Sequence, residues 1–431
     1  MTTSRPRRRA LNPQRFTLEN GLRVLLVENH ELPTVSMNLT VLAGGRTDPE
    51  EHAGIATMAC RLLDEGTESR TALEIAEAIE SVGGSVDCDN SHDRTTTYLS
   101  VLSKDLDLGI DLMVDVVTRP AFEADSVANE RERILAEIRS AMDRPQLVAS
   151  WEFNELVYRG HPLHRPVHGY PETIARIERD HLHQYHSRHF HPGNAILSAV
   201  GDFNAEDLVR KLESAFIHWA PTPVPPQERS APERQTDHRS STLPLEAEQA
   251  HVYFGHLGIA RAHPDFYTLQ VMDAILGGGA GLTSRIPRKL RDEQGLAYTT
   301  YAGITGSAGM EPGKFVAYIG TAPENIDRAI AGFIEEVERI RTEPVTAEEL
   351  DDAKAYLTGS FVFGFESNSQ IARFLINAEV FGLGFDHVEK YPEYIELITA
   401  DDITRASREH LSTEEYSVVI AGPANKLSAP K

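Results

Sequence analysis

Apolar and polar positions along the chain follow two periods in turn, and their order predicts the elements. Leu22 to Val27 is a short apolar run behind the hairpin-type pair Asn20-Gly21, which predicts a strand. Ser36 to Ala43 reads as the next strand, and Thr95 to Leu102 is β-branched and alternating, as a strand should be. Helical spacing begins at Thr71, which forms a capping box with Glu74 and opens a helix that stops at Gly83-Gly84. Leu106, Ile110, Met113, Val114 and Val117 recur one helical turn apart, and Asp125 to Met142 continues as an acidic amphipathic helix. Strands followed by paired helices predict α+β domains, each a mainly antiparallel sheet with helices on one face.

The pattern breaks at residues 221–243, PTPVPPQERSAPERQTDHRSSTL, a stretch dense in Pro, Ser and charge. Such a segment buries too little apolar surface to fold by itself and reads as a linker. It separates a first domain, 13–220, from a second, 244–428, and residues 1–12 read as a disordered basic tail. Length alone, at roughly 150 residues per domain, suggests about three domains. Self-similarity argues for two. Asp180 to Gly201 lines up without a gap on Asp401 to Gly422, each a helix, a turn and an apolar strand ending in Gly. The helix, turn and acidic helix start around Pro120 to Glu130 resembles that around Pro344 to Lys354. The expectation is two copies of one domain.

Composition narrows the function. A formal charge of −23 repels phosphate backbones, so nucleic acid is not an expected partner. No run approaches the ~18 apolar residues of a membrane span, so no membrane partner is expected either. Four arginines within Met1 to Arg9 lead into no apolar segment of the kind a secretory signal needs. The two cysteines, Cys60 and Cys88, are too few for a disulfide framework. A cytoplasmic location is therefore expected.

The stretch GIATMACRLLDEGT (54–67), with ERERILAEIRSAMDRP (130–145), resembles the pitrilysin/insulinase (M16) metallopeptidase family. The likeness extends to NGLRVLLVE, AGGRTDPEEHAG, YHSRHFHPGNAILSAVGD and LGGGAGLTSRIPRKLRDEQGLAY, nearly the whole chain, and the family's two homologous α+β halves joined by a linker match the duplication. The resemblance implies a zinc site of inverted His-x-x-Glu-His on a helix plus a Glu from a later helix. Two histidines four apart share a helix face, and the Glu beside them activates zinc-bound water. Aligned by Gly54 and Gly66-Thr67, the histidine positions hold Thr57 and Arg61 and the general-base position holds Cys60. Threonine is a poor zinc ligand and arginine keeps its charge at any working pH. Only Glu137, which matches the third ligand, is retained, so no metal or other cofactor is expected in this chain.

In RDEQGLAY, Arg291 and Tyr298 match an Arg and a Tyr that, in this family, reach toward the zinc site from the C-terminal domain and hydrogen-bond the substrate near the scissile carbonyl. Both are donors able to stabilise an oxyanion; without the resemblance they would read as an exposed helix-end Arg and a core Tyr. Members of this family often pair a zinc-bearing chain with one that lacks the motif. The resemblance thus implies a non-catalytic subunit that pairs with a zinc-bearing M16 chain, supplies Arg291 and Tyr298 to its peptide substrate, and cleaves nothing alone. Ser85 to Leu102 resembles the family's edge strand, which binds extended peptides by β-addition. The alternatives are a structural or peptide-binding subunit, or an autonomous metallopeptidase with an unrecognised site. His181, His183, His186, His189 and His191 cluster, but the duplicated segment keeps only His410, which favours a structural reading. Cys60 reads as a small core residue rather than a nucleophile. Leu276 to Gly281 lacks the Lys-Ser/Thr of a phosphate-binding loop and reads as a turn.

Overall fold

Nearly every predicted element forms, and the computed structural model, which describes residues 11–222, 231–278 and 283–424, shows how they pack. The first half contains strands β1 (Gln14–Thr17), β2 (Arg23–Glu28), β3 (Thr34–Val41), β4 (Ser85–Asn90), β5 (Thr95–Leu102) and β6 (Ala195–Gly201). Its helices are α1 (Ile55–Arg61), α2 (Ala72–Glu80), α3 (Leu106–Thr118), α4 (Ala124–Met142), α5 (Pro145–Val157), the one-turn α6 (Pro171–Ile174), α7 (Arg179–His189) and α8 (Ala205–Ala215). The second half has β7 (Arg239–Leu245), β8 (Ala250–Leu257), β9 (Ala297–Gly303), β10 (Lys314–Thr321) and β11 (Ser417–Pro423). Around them lie α9 (Phe266–Asp273), α10 (Ile326–Thr342), α11 (Ala347–Phe361), α12 (Asn368–Phe381), α13 (His387–Glu396) and α14 (Ala400–His410).

The two sheets run β1-β2-β6-β3-β5-β4 and β7-β11-β8-β10-β9. Both are mainly antiparallel, with one parallel pair each, β2 with β6 and β7 with β11. The duplication is geometric as well as textual, because α7 followed by β6 recurs as α14 followed by β11. The capping box at Thr71 is formed, with the Thr71 hydroxyl accepting from the Glu74 N–H. One core joins the first sheet to its own helices, through residues such as Leu39, Leu99, Ile110, Val116 and Ile134. A second, equivalent core closes the other half around Phe254, Leu269, Phe315, Phe333 and Ile403.

The expectation of helices on one face holds only for each half's own helices. The other face is covered from across the molecule. Ala149, Phe153 and Val157 of α5 pack with Tyr253, Val419 and Ala421 of the second sheet. Reciprocally, Ile371, Ala372, Leu375 and Ile376 of α12 pack on Leu25, Val27, Ile196 and Val200 of the first. The physical reason is legible in the strands: all seven residues of β6 are buried, so it is an apolar run with two dry faces rather than an alternating one.

The linker also needs correcting. Arg239 to Leu243, its last residues, open β7, which pairs in parallel with β11 from Arg239 opposite Ser417 onward. An edge strand of Arg, Ser and Thr is only half-buried, so its composition resembles linker. Residues 223–230 of the linker, 1–10 of the basic tail, 279–281 of the glycine run and 425–428 of the second domain lie outside the described residues. Leu11, assigned to the tail, packs against the cluster formed by α12 and the first sheet.

Candidate functional site

Helix α1 is short and rests on polar anchors. The buried Asp48 carboxylate accepts from the Gly54 N–H at 2.7 Å and the Ala56 N–H at 3.3 Å, which satisfies two of the helix's open donors. Gly54 has φ +97°, and a Cβ there would meet the His168 carbonyl oxygen at 2.6 Å. Only glycine lets the helix start so close to the loop that carries Val167 and His168.

Thr57, Cys60 and Arg61, the positions expected to carry a degenerate zinc motif, lie along one face of α1. The Thr57 hydroxyl donates to the Val167 carbonyl at 2.6 Å and accepts from Asn90 Nδ2 of β4 at 3.1 Å. Cys60 is buried, and its thiol donates toward Cys88 Sγ on β4 at 3.0 Å. The hydrogen bond to Cys88 and burial together push the Cys60 thiol well above its ordinary range, which suits a protonated core residue and opposes a nucleophile. Arg61 reaches across to α4 and forks onto Glu137, Nη1 to Oε1 at 3.0 Å and Nη2 to Oε2 at 2.9 Å. It also donates to Glu130 at 3.2 Å, and Arg133 bonds Glu130 from the next turn at 3.3 Å.

Charge balance follows from this fork. Burial opposes the charge on Arg61, but the bonds to Glu137 and Glu130 outweigh it and hold the guanidinium protonated. The Arg61 bond holds Glu137 below its usual range, whereas burial raises Glu130 despite its two arginine neighbours. These residues do not fit a zinc ion. The Thr57 hydroxyl is committed to backbone and amide, Glu137 is saturated by a guanidinium, and a fixed cation stands among the acceptors.

Arg291 and Tyr298 belong to the second half. Arg291 lies in a π-helical turn, Pro287–Glu293, and bonds its neighbour Asp292 at 2.8 and 3.3 Å. Tyr298 is the second residue of β9, at the edge of its sheet, and is 92% exposed. Among the described residues neither side chain bonds to Thr57, Cys60, Arg61 or Glu137.

The histidine segment disperses into packing. His186 bonds the Val117 carbonyl at 2.8 Å and stacks on Phe190, His189 lies against Tyr185, and His183 meets the edge of Phe122. Burial lowers both His186 and His189 to about 4, so they are neutral at pH 7. A different group converges: His263, Asp265 and His410 offer ligand atoms within 4.8 Å of one another. Arg405, however, bonds both Asp265 oxygens at 2.5 and 3.1 Å and draws its carboxyl down to about 2, so the site already holds its cation.

Sequence reading missed Glu130 and Arg133 as members of the motif's network. The signal was available, since Glu130, Arg133 and Glu137 recur at i, i+3 and i+7 and so share one face of α4. It also missed that β4 brings Asn90 and Cys88 onto α1, a contact no local pattern encodes.

A duplicated α+β shell, each sheet covered by helices from both halves, defines the class. The chain belongs to the M16 family: residues 23–170 match the family described as insulinase (peptidase family M16), and residues 176–357 match the peptidase M16 inactive domain. An uncharacterized zinc protease of Mycobacterium tuberculosis is 29% identical over 98% of this chain and 96% of its own length. The uncharacterized zinc protease YmxG of Bacillus subtilis is 26% identical over 96% of this chain and 99% of its own. A crystal structure described as a peptidase M16 inactive domain from Pseudomonas fluorescens superposes with a TM-score of 0.90 at 26% identity, covering 98% of this chain and all of that one. A protease from Helicobacter pylori shares the fold, with a TM-score of 0.88 over 96% of this chain and all of its own, at 21% identity. No helix among the described residues is long and apolar enough to cross a membrane.

Proposed function

We propose that this chain is the zinc-free member of a two-chain M16 peptidase, inactive alone, that offers Arg291 and Tyr298 to a peptide held at the zinc of a partner chain. The observation that carries the non-catalytic half of this reading is the Arg61 fork, which occupies the carboxylate a metal would need. The exposure of Tyr298, which has no hydrogen-bond partner among the described residues, supports a role toward something outside the chain. The partner would bear His-x-x-Glu-His and the zinc. Strand β4, at the sheet edge, supports docking of an extended peptide by strand addition. The cytoplasmic location is part of the same reading.

Co-expression with a zinc-bearing M16 chain from the same cell, followed by peptide-cleavage assays, tests it. Tyr298→Phe or Arg291→Ala should lower kcat/KM of the pair by about 10²-fold, the typical loss of one oxyanion donor, without changing assembly. Unchanged cleavage would mean a scaffold subunit, a reading favoured by the pairing of Arg291 with Asp292. Near-stoichiometric zinc in the isolated chain would instead support an autonomous peptidase, with His263, Asp265 and His410 the first residues to mutate.

A further inference from the structure

The chain has two cysteines in 431 residues, and the fold brings them into contact. Cys60 sits on α1 and Cys88 on β4, with Sγ atoms 3.0 Å apart, inside the contact distance of two unbonded sulfurs. Both are free thiols, Cys60 buried and Cys88 half-buried. A disulfide has an S–S length of about 2.0 Å, so the sulfurs must approach by only about 1 Å. Cys88 lies on the outermost strand of the sheet and is the more accessible of the two, and Cys60 sits behind it, where a resolving thiol would be.

We infer that Cys60 and Cys88 form a redox-linked dithiol whose oxidation by a low-molecular-weight disulfide ties the edge strand β4 to helix α1. The Cys88 thiolate attacks one sulfur of the oxidant and expels a thiolate. Cys60 then gives up its proton and attacks the Cys88 sulfur of the mixed disulfide, expelling the second. One disulfide is reduced to two thiols, and two protein thiols become one disulfide. The high proton affinity of Cys60 makes Cys88 the first attacker. The crosslink would close a loop running from the degenerate motif to the strand edge, so oxidation should stiffen that edge. The inference does not depend on the two-chain reading, since it concerns only this chain.

The test equilibrates the full-length chain in glutathione buffers of stepped ratio, quenches with acid, alkylates, and maps peptides by mass spectrometry. The expected result is loss of both free thiols, a linked Cys60–Cys88 peptide, faster migration on a non-reducing gel, and slower hydrogen exchange at 85–90 in the oxidised form. Cys88→Ser and Cys60→Ala should each abolish the linked species. A glutathione adduct confined to Cys88, a dimer joined between chains, a copper ion shared by persistent thiols, or unchanged exchange at 85–90 after crosslinking would each overturn it.

Discussion

Removing the Arg61 guanidinium is the most direct test of what ties α1 to α4. In Arg61→Ala, Glu137 loses both its short bonds and Glu130 loses one of its two arginine partners. The magnitude depends on exposure. The Arg61 side chain is 29% exposed and that of Glu137 49%, so the fork is heavily screened and contributes roughly 0.5–1 kcal/mol. The Glu130 side chain is only 5% exposed, and thinning its charge support costs on the order of 1–2 kcal/mol. The sum is a loss of about 2 kcal/mol at pH 7. Both tryptophans, Trp151 and Trp219, lie in the first half, so urea unfolding followed by their fluorescence reports on the half that contains the site.

The pH dependence sharpens the test. Glu137 is depressed in the folded chain, so its contribution is present above the unfolded carboxyl value of about 4.3 and is lost as pH falls below it. Glu130 is raised by burial, so its ionisation costs stability as pH rises, and that cost should grow once Arg61 is gone. Both signs agree: the deficit of Arg61→Ala should be largest near pH 7 and shrink as pH falls below about 4.3, first as Glu130 is protonated and then, at lower pH, as the depressed Glu137 is. A deficit that is absent at pH 7, or that grows on acidification, would refute the account of Arg61 as the counter-charge of this site.

Three further outcomes follow from the same geometry. The triple change Thr57→His, Cys60→Glu and Arg61→His, which frees Glu137 and gives α1 the His-x-x-Glu-His spacing, should bind about one chelator-removable zinc per chain by elemental analysis, whereas the parent chain should bind none at α1. Phe153→Ala in α5 removes a fully buried ring stacked on Tyr253 and should cost about 3–5 kcal/mol, with the second half losing protection in hydrogen exchange although the substitution lies in the first. The Arg285 fork draws Glu349 down to about 2, so its stabilisation, about 2 kcal/mol after discounting for screening, is present above about pH 4.5 and lost toward pH 2; Glu349→Gln should flatten the acid limb of calorimetric stability.

How much of this was legible in the sequence follows a physical divide. Local periodicity gave β5 and the capped helix at Thr71 because both depend on neighbours a few residues away. The duplication gave the equivalence of α7–β6 and α14–β11. The crossing of α5 and α12 onto the opposite sheets could not be read in the same way, since it is a contact between segments more than 90 residues apart. A hint was present in β6, whose run of small and apolar residues, with Ser198 the one polar member, demands cover on two faces. The site divides likewise. Thr57, Cys60, Arg61 and Glu137 came from motif alignment, whereas the partner carboxylate Glu130 and the Cys60–Cys88 contact required the packing of α1 between α4 and β4.

That packing also explains how α1 is held in place with Thr57, Cys60 and Arg61 along its face. A guanidinium at position 61 would stand without a counter-charge if α4 offered nothing, but α4 presents two carboxylates a double turn apart, Glu137 and the buried Glu130. A charge that coordination would otherwise supply comes instead from a side chain of fixed protonation, and Thr57 closes its own hydrogen bonds to Val167 and Asn90. These bonds tie the helix to α4 and to the edge strand. On the proposed reading, what the chain would lack is the water-activating chemistry alone, because the edge strand β4 beside α1 keeps its place in the sheet. On the two-chain reading proposed above, such a chain would keep a surface able to bind while lacking the means to cleave, and a partner carrying the zinc ligands would give Arg291 and the exposed Tyr298 their use.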